Sequence, residues 1–288
     1  MKRVLIVNAD DFGMSEPVNR GILEAHVRGI VTSTTVMANM PAAEAGIERA
    51  RREAPRLGLG LHVNLTFGRP VLAPDRVPSL IDERGFFLDV SRGVGLPRHW
   101  TREEVDAEIR AQLDRFVELA GRPPDHLDAH QLVSTVSAPV RQVVLALAED
   151  HGIAVRRGRT GWYAPMERLF PNVADLPDAL GPLWDRLPTP WRQGPMADRT
   201  PLTTDGLDLR FRGERATAEQ LLRILATLPE GVTELVCHPG YASDDADDYA
   251  FREAERVALT DPRVRTRARE EDIDLVDFGW LLRHAEEA

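Results

Sequence analysis

The stretch VLIVNADDFG, residues 4–13, decides how the rest of the chain is read. Val4 to Ala9 form a short apolar run rich in β-branched side chains, without the 3.6-residue period of an amphipathic helix, and read as a buried strand. The strand runs straight into two acids, Asp10 and Asp11. Next, PVNRGILEAHVRG (17–29) has helical spacing, with Ile22, Leu23 and Ala25 on its inner side and Gly29 as its stop. IVTSTTVMA (30–38) predicts a second strand. AAEAGIERARREA (42–54) predicts a helix closed by Pro55, and LGLGLHVNLT (57–66) a third strand. TREEVDAEIRAQLDRFVELAG (101–121) is the clearest helix, with Thr101 as N-cap, acids in its first turn and Gly121 at its end. HLDAHQLV (126–133) predicts a strand, PVRQVVLALAEDHG (139–152) a helix and IAVRR (153–157) a strand. TAEQLLRILATL (217–228) predicts a helix and TELVCHPG (233–240) a strand. IDLVDFGWLLRH (273–284) predicts a strand and then a helix.

This alternation predicts a parallel sheet wrapped by helices. Seven or eight strands in 288 residues favour one closed or nearly closed β/α barrel over a doubly wound open sheet. The rhythm is lost from 159 to 205, a stretch rich in proline and tryptophan. Its plainer reading is an irregular insertion packed on the barrel by its aromatics. Its functional reading is a lid or cleft wall, in which Trp162, Tyr163, Trp184 and Trp191 offer flat faces to a sugar ring.

The formal net charge of −10 argues against general nucleic-acid binding, because phosphate backbones are repelled. Cys237 is the single cysteine, which rules out an intrachain disulfide and a multi-cysteine zinc site. No apolar run is long enough to span a membrane, and the apolar run Val4–Val7 is too short for a signal peptide. A soluble, cytoplasmic protein is expected. A homodimer is compatible with the sequence, which carries no signal for or against it.

The candidate chemistry lies at predicted strand ends. Asp10 and Asp11 follow the first strand, His62 lies near the end of the third, Asp128 and His130 end the fourth, and His238 ends TELVC. Parallel β/α folds gather those ends on one rim, where sites are built. Asp and His side chains meeting there suit a catalytic divalent ion, with a second carboxylate free to act as base. Taken singly, each residue has a plainer reading: the aspartates as a turn or helix cap, His62 and His130 as core histidines. His126 is expected at the surface, and His26, His99, His151 and His284 are read as solvated.

The motifs LIVNADDFGMS (5–15), GIVTSTTVMAN (29–39), GLGLHVNLTFGRPV (58–71), HLDAHQ (126–131) and VCHPGY (236–241) together resemble the YdjC-like carbohydrate deacetylases, which include chitooligosaccharide and hopanoid-associated deacetylases. The resemblance implies a distorted TIM-like barrel and metal-dependent hydrolysis of an N-acetyl group on an amino sugar or sugar-containing metabolite. It implies Asp11, His62 and His130 as metal ligands, Asp10 as general base and His238 as the acid that protonates the leaving amine. Family members commonly read D-S-H-x-H-x-H where this chain reads DAHQLVS, so Ala129, Leu132 and Ser134 replace a serine and two histidines. That departure bears on the substrate and suggests a specialised acceptor. Asn64, Arg69, Arg156 and Tyr241 are further candidates for substrate contact. The ligand set accepts zinc, magnesium, nickel, cobalt or manganese. The alternatives are another hydrolase on the same barrel, such as a phosphoesterase or glycosidase, and a catalytically silent sugar-binding protein.

Overall fold

The computed structural model describes residues 2–88, 100–156, 202–242 and 250–285. Their strands are β1 (Arg3–Phe12), β2 (Ser33–Val36), β3 (Gly58–Val63), β4 (His126–Ala129), β5 (Ala154–Val155), β6 (Gly206–Asp208), β7 (Gly231–Cys237) and β8 (Ile273–Leu275). Their helices are α1 (Glu16–Val27), α2 (Ala43–Glu53), α3 (Arg102–Ala120), α4 (Val133–Val136), α5 (Ala138–His151), α6 (Ala218–Ala226), α7 (Arg252–Leu259), α8 (Pro262–Glu270) and α9 (Phe278–Ala285). α3 has the ends its sequence predicts. Thr101 accepts from the Glu104 amide, and Gly121 closes the helix at φ 67°.

Every strand pairing is parallel, in the order β5-β4-β3-β2-β1-β7-β6. β1 is the hub. One edge pairs with β7 from Arg3 to Ala9. The other edge is shared, with Arg3–Leu5 against β8 and Asn8–Phe12 against β2. The sheet curls into a distorted TIM-like barrel. Among the described residues β5 and β6 do not pair, but the Val155 amide donates to the Leu202 carbonyl at 2.8 Å. No described helix is long and apolar enough to cross a membrane.

The two-residue alternation of β1 sorts its side chains. Leu5, Val7 and Ala9 join the large apolar layer that also holds residues of the helices. Ile6 packs instead with Ala154, Phe278 and Leu281, where α9 closes the barrel floor. Above it the interior is polar, with Asn8 and Asp10, then Thr35, His62, Asp128 and Glu234, all buried.

His126 departs from the expected surface position. It is fully buried, bonded through Nδ1 to Asp125 Oδ1 (2.6 Å) and stacked on Phe278 at 3.8 Å. It opens β4 above the helix that plugs the floor, so both ring faces meet protein. His26 is half-buried with Nδ1 2.8 Å from the Val31 carbonyl, His151 and His284 are exposed, and His99 lies outside the described residues. A Cβ on Gly60 would come within 2.3–2.7 Å of the His126 ring. With Phe278 behind it, that ring has nowhere to go. Gly60→Ala should therefore destabilise the fold by about 1–3 kcal/mol in chemical denaturation, an overpacking cost. An unchanged midpoint would refute this packing.

Candidate metal centre

Neighbouring residues of a regular strand point to opposite faces, so Asp10 and Asp11 could not both enter the barrel mouth. β1 resolves this in its own backbone. Its register against β2 shifts between Ala9 and Phe12, and Asp11 takes a left-handed φ of 72°. A bulge of this kind re-aims a side chain. The other contributor is strained too: Gln131, next to His130, sits at φ 51°. Left-handed backbone at non-glycine residues costs energy and gathers at functional sites. β4 ends at Ala129, so His130 stands on the short 3₁₀ turn just beyond the strand and not at its end.

Asp11 Oδ1, His62 Nε2 and His130 Nδ1 form a triangle with sides of 3.0, 3.3 and 3.3 Å. Three tetrahedral ligands about 2.1 Å from one ion lie about 3.4 Å apart, so the triangle has the size a small divalent cation requires. The next residues outward fix the donors. His62 Nδ1 lies 2.6 Å from Asp128 Oδ1, which orients the ring and leaves Nε2 for the triangle. Asp128 Oδ2 accepts from Thr35 Oγ1 (3.0 Å) and pairs with Arg156 (2.9 Å). Asp11 Oδ2 accepts from Arg252 Nη2 at 2.8 Å.

Asp10 stands beside this layer, gripped by Arg156 through two bonds of 2.6 and 2.7 Å, with Asn8 Nδ2 donating at 3.0 Å. Asp10, His62 and Asp128 also lie close enough to suggest a cation site, but the Arg156 guanidinium already holds both carboxylates. The Asp11 triangle is therefore the better place for an ion. His238 Nε2 lies 3.9 Å from Asp10 Oδ2, and the His238 backbone amide donates to Glu255.

The electrostatics suit a bound cation. Among the described residues, Asp10, Asp11, Asp128, Glu234 and Glu255 are buried against two buried guanidiniums, Arg156 and Arg252. Burial alone would raise Asp10 and Asp11, yet Arg156 holds Asp10 below its ordinary pKa and Arg252 with His130 holds Asp11 well below. Burial raises Glu234 despite Arg156. Burial would lower His62, but Asp128, Asp11 and Asp10 push it up to about 10. A site that demands a proton on an imidazole this strongly would equally favour a cation. His238 goes the other way. Burial, aided by Arg212 and Arg252, brings it down to about 4 against the pull of Asp10 and Asp11.

Several side chains serve ends other than those expected. Arg156 is buried, its guanidinium shared among Asp10, Asp128 and Glu234, so it lies beneath the site and presents no free face to a substrate. Asn64 is buried too. Its Oδ1 accepts from the Thr66 and Phe67 amides and its Nδ2 donates to Asn39 and the Phe67 carbonyl, so it builds the turn after β3. Arg69 donates to the Arg84 carbonyl and covers the Phe86 ring at 4.1 Å, pinning the 82–87 loop. Tyr241 lies between the guanidiniums of Arg20 (3.9 Å) and Arg256 (4.2 Å) and donates to Glu24. Trp162, Trp184 and Trp191, and most of the 159–205 stretch, lie outside the described residues. Sequence reasoning missed Arg252, Glu234, Asn8 and Thr35. Glu234 carried a signal, a lone acid inside the apolar strand TELVC. Arg252 carried none, in a helix whose pattern is that of a solvated surface.

A carbohydrate deacetylase of Brevibacillus brevis is 35% identical over 285 residues, 96% of this chain and 99% of the relative. A chitooligosaccharide deacetylase of Salmonella paratyphi B is 33% identical over 250 residues, covering 85% and 84%. The crystal structure of an Enterococcus faecalis V583 protein, described as a candidate cellobiose-phosphate cleavage protein, superposes with a TM-score of 0.79 at 31% identity, over 98% of this chain and 99% of that one. The family described as YdjC-like protein matches residues 4–270, and the chain belongs to it.

Proposed function

We propose that this protein is a metal-dependent hydrolase that removes the acetyl group from the nitrogen of an amino sugar or a sugar-bearing metabolite. The observation that carries the reading is the Asp11–His62–His130 triangle with the ionised Asp10 beside it. The names of the relatives, carbohydrate deacetylase and chitooligosaccharide deacetylase, support this substrate class. Asp11, His62 and His130 hold one divalent ion, which when bound supplies Lewis acidity to a water and to the acyl oxygen.

Asp10 takes a proton as the water oxygen attacks the carbonyl carbon. The Arg156 clamp keeps this carboxylate ionised and fixes its direction. Burial holds the His238 pKa down to about 4, so the proton it delivers to the departing nitrogen is the one the water gave up, passed on from Asp10. The C–N bond breaks, and acetic acid and the free amine leave with one water consumed. The chain acts as one barrel domain over residues 1–288.

Acetate release from N-acetylated chitooligosaccharides and related amino sugars tests this. Activity should vanish on chelation and return with zinc, nickel, cobalt, manganese or magnesium. Release that survives chelation would indicate another hydrolase, and no release from any acetylated sugar by the metal-loaded protein would indicate a silent binding protein. Arg252 offers a second handle, since it touches Asp11 on the side away from the triangle. Arg252→Met should weaken ion binding by about 10–100-fold in a chelator competition, a typical loss for such outer support. Unchanged affinity would remove Arg252 from the site.

A further inference from the structure

The barrel has a second concavity, of about 910 Å³, at the end opposite the metal layer. Its walls come from residues 29–32 leading into β2, residues 53–56 leading into β3, α8, β8 and α9. Three of its side chains are Arg56, Arg265 and Arg269. Among the described residues none of the three has a carboxylate within ion-pair distance. Arg265 donates to the Gly29 carbonyl. The acids of the same walls are already engaged. Glu53 binds Arg49 Nε (2.9 Å), Asp274 binds Lys2 (3.1 Å), and Asp277 pairs with Arg283 (3.6 Å) and caps the Trp280 amide (2.7 Å). The excess positive charge is felt inside the protein: besides burial, Arg56 and Arg265 hold His26 below its ordinary pKa.

Among the described residues, three arginines without a carboxylate partner line one concavity in a chain of net charge −10. We infer that this floor concavity is a binding site for a small phosphate-bearing anion, separate from the metal layer. Guanidinium forks match phosphate oxygens in planar, charge-assisted pairs. The volume falls within the usual range for small-molecule pockets, which admits a phosphorylated sugar. A nucleic-acid backbone is disfavoured by the negative charge of the rest of the chain.

Calorimetric titration with inorganic phosphate and with pyrophosphate tests the inference on the full chain, as purified and after chelation, with chloride at matched ionic strength as control. Saturable binding is expected with a Kd of about 1 mM or tighter for pyrophosphate. It should persist after chelation and weaken about tenfold or more in the double variant Arg56→Ser/Arg269→Ser. Both positions are exposed, so the fold should be retained, which circular dichroism checks. No saturable binding, equal affinity in a folded double variant, or loss of binding on chelation would each overturn it. None of these outcomes touches acetate release, so the proposed activity stands or falls separately.

Discussion

Asp10→Asn is expected to cut kcat for acetate release by about 10²–10⁴-fold, the usual share of a positioned general base, while the ion content stays near one per chain. The two halves of that result come from different atoms. The amide has the shape of the carboxylate but cannot take a proton from water. The triangle of Asp11, His62 and His130 does not include it, so ion binding should be spared. The loss should fall on kcat more than on KM, because the group acts during bond making. If ion content fell in step with activity, Asp10 would belong to the ligand set. If activity were retained, the base would have to be sought elsewhere.

The second large effect is on stability. Arg156→Met should cost about 3–5 kcal/mol in chemical denaturation at neutral pH, because it leaves buried carboxylates without their cation. Arg156 touches Asp10, Asp128 and Glu234 at 2.6, 2.9 and 2.8 Å, and none of these acids is more than a few per cent exposed. Arg156→Lys should fall between, since an ammonium restores the charge but not the fork. The pH dependence has a definite sign. Burial opposes ionisation of Asp10, but Arg156 wins and holds its pKa below the ordinary 3.8. The stability this pair lends is thus complete above the unfolded pKa and is lost as pH falls below about 4. The gap between wild type and Arg156→Met should narrow over that acid range. A gap under about 1 kcal/mol at neutral pH would mean that the carboxylates find other partners or take up protons at little cost.

Local patterns in the chain carried the barrel and the rim. Strand and helix periods are written within a few residues, and parallel topology follows from their alternation, so β1 to β4 and the long α3 were legible. Asp10, Asp11, His62 and His130 were legible as a set because parallel strands must bring their ends together. How two adjacent aspartates enter one site was not legible, since the register shift and the left-handed turn at Asp11 depend on β2. The burial of Arg156 was not legible for a related reason. Its partners lie 146 and 78 residues away, and an arginine after a short strand has nothing local to mark it as buried. The burial of His126 has no local mark either, because Phe278, which covers it, lies 152 residues further along the chain.

The shared edge of β1 also sets the order in which this molecule can be made. β1 leaves the ribosome well before the strands that flank its lower half, β7 and β8, which are more than 200 residues behind it. Until they emerge, β1 can offer its upper edge to β2, while its other edge waits with bare amides and carbonyls. Such late pairing slows folding and leaves the nascent chain open to wrong partners. The acid-lined mouth, which needs β1, β3, β4 and β5 in place, can therefore be sealed only after β7 has emerged and brought Glu234 beneath Arg156.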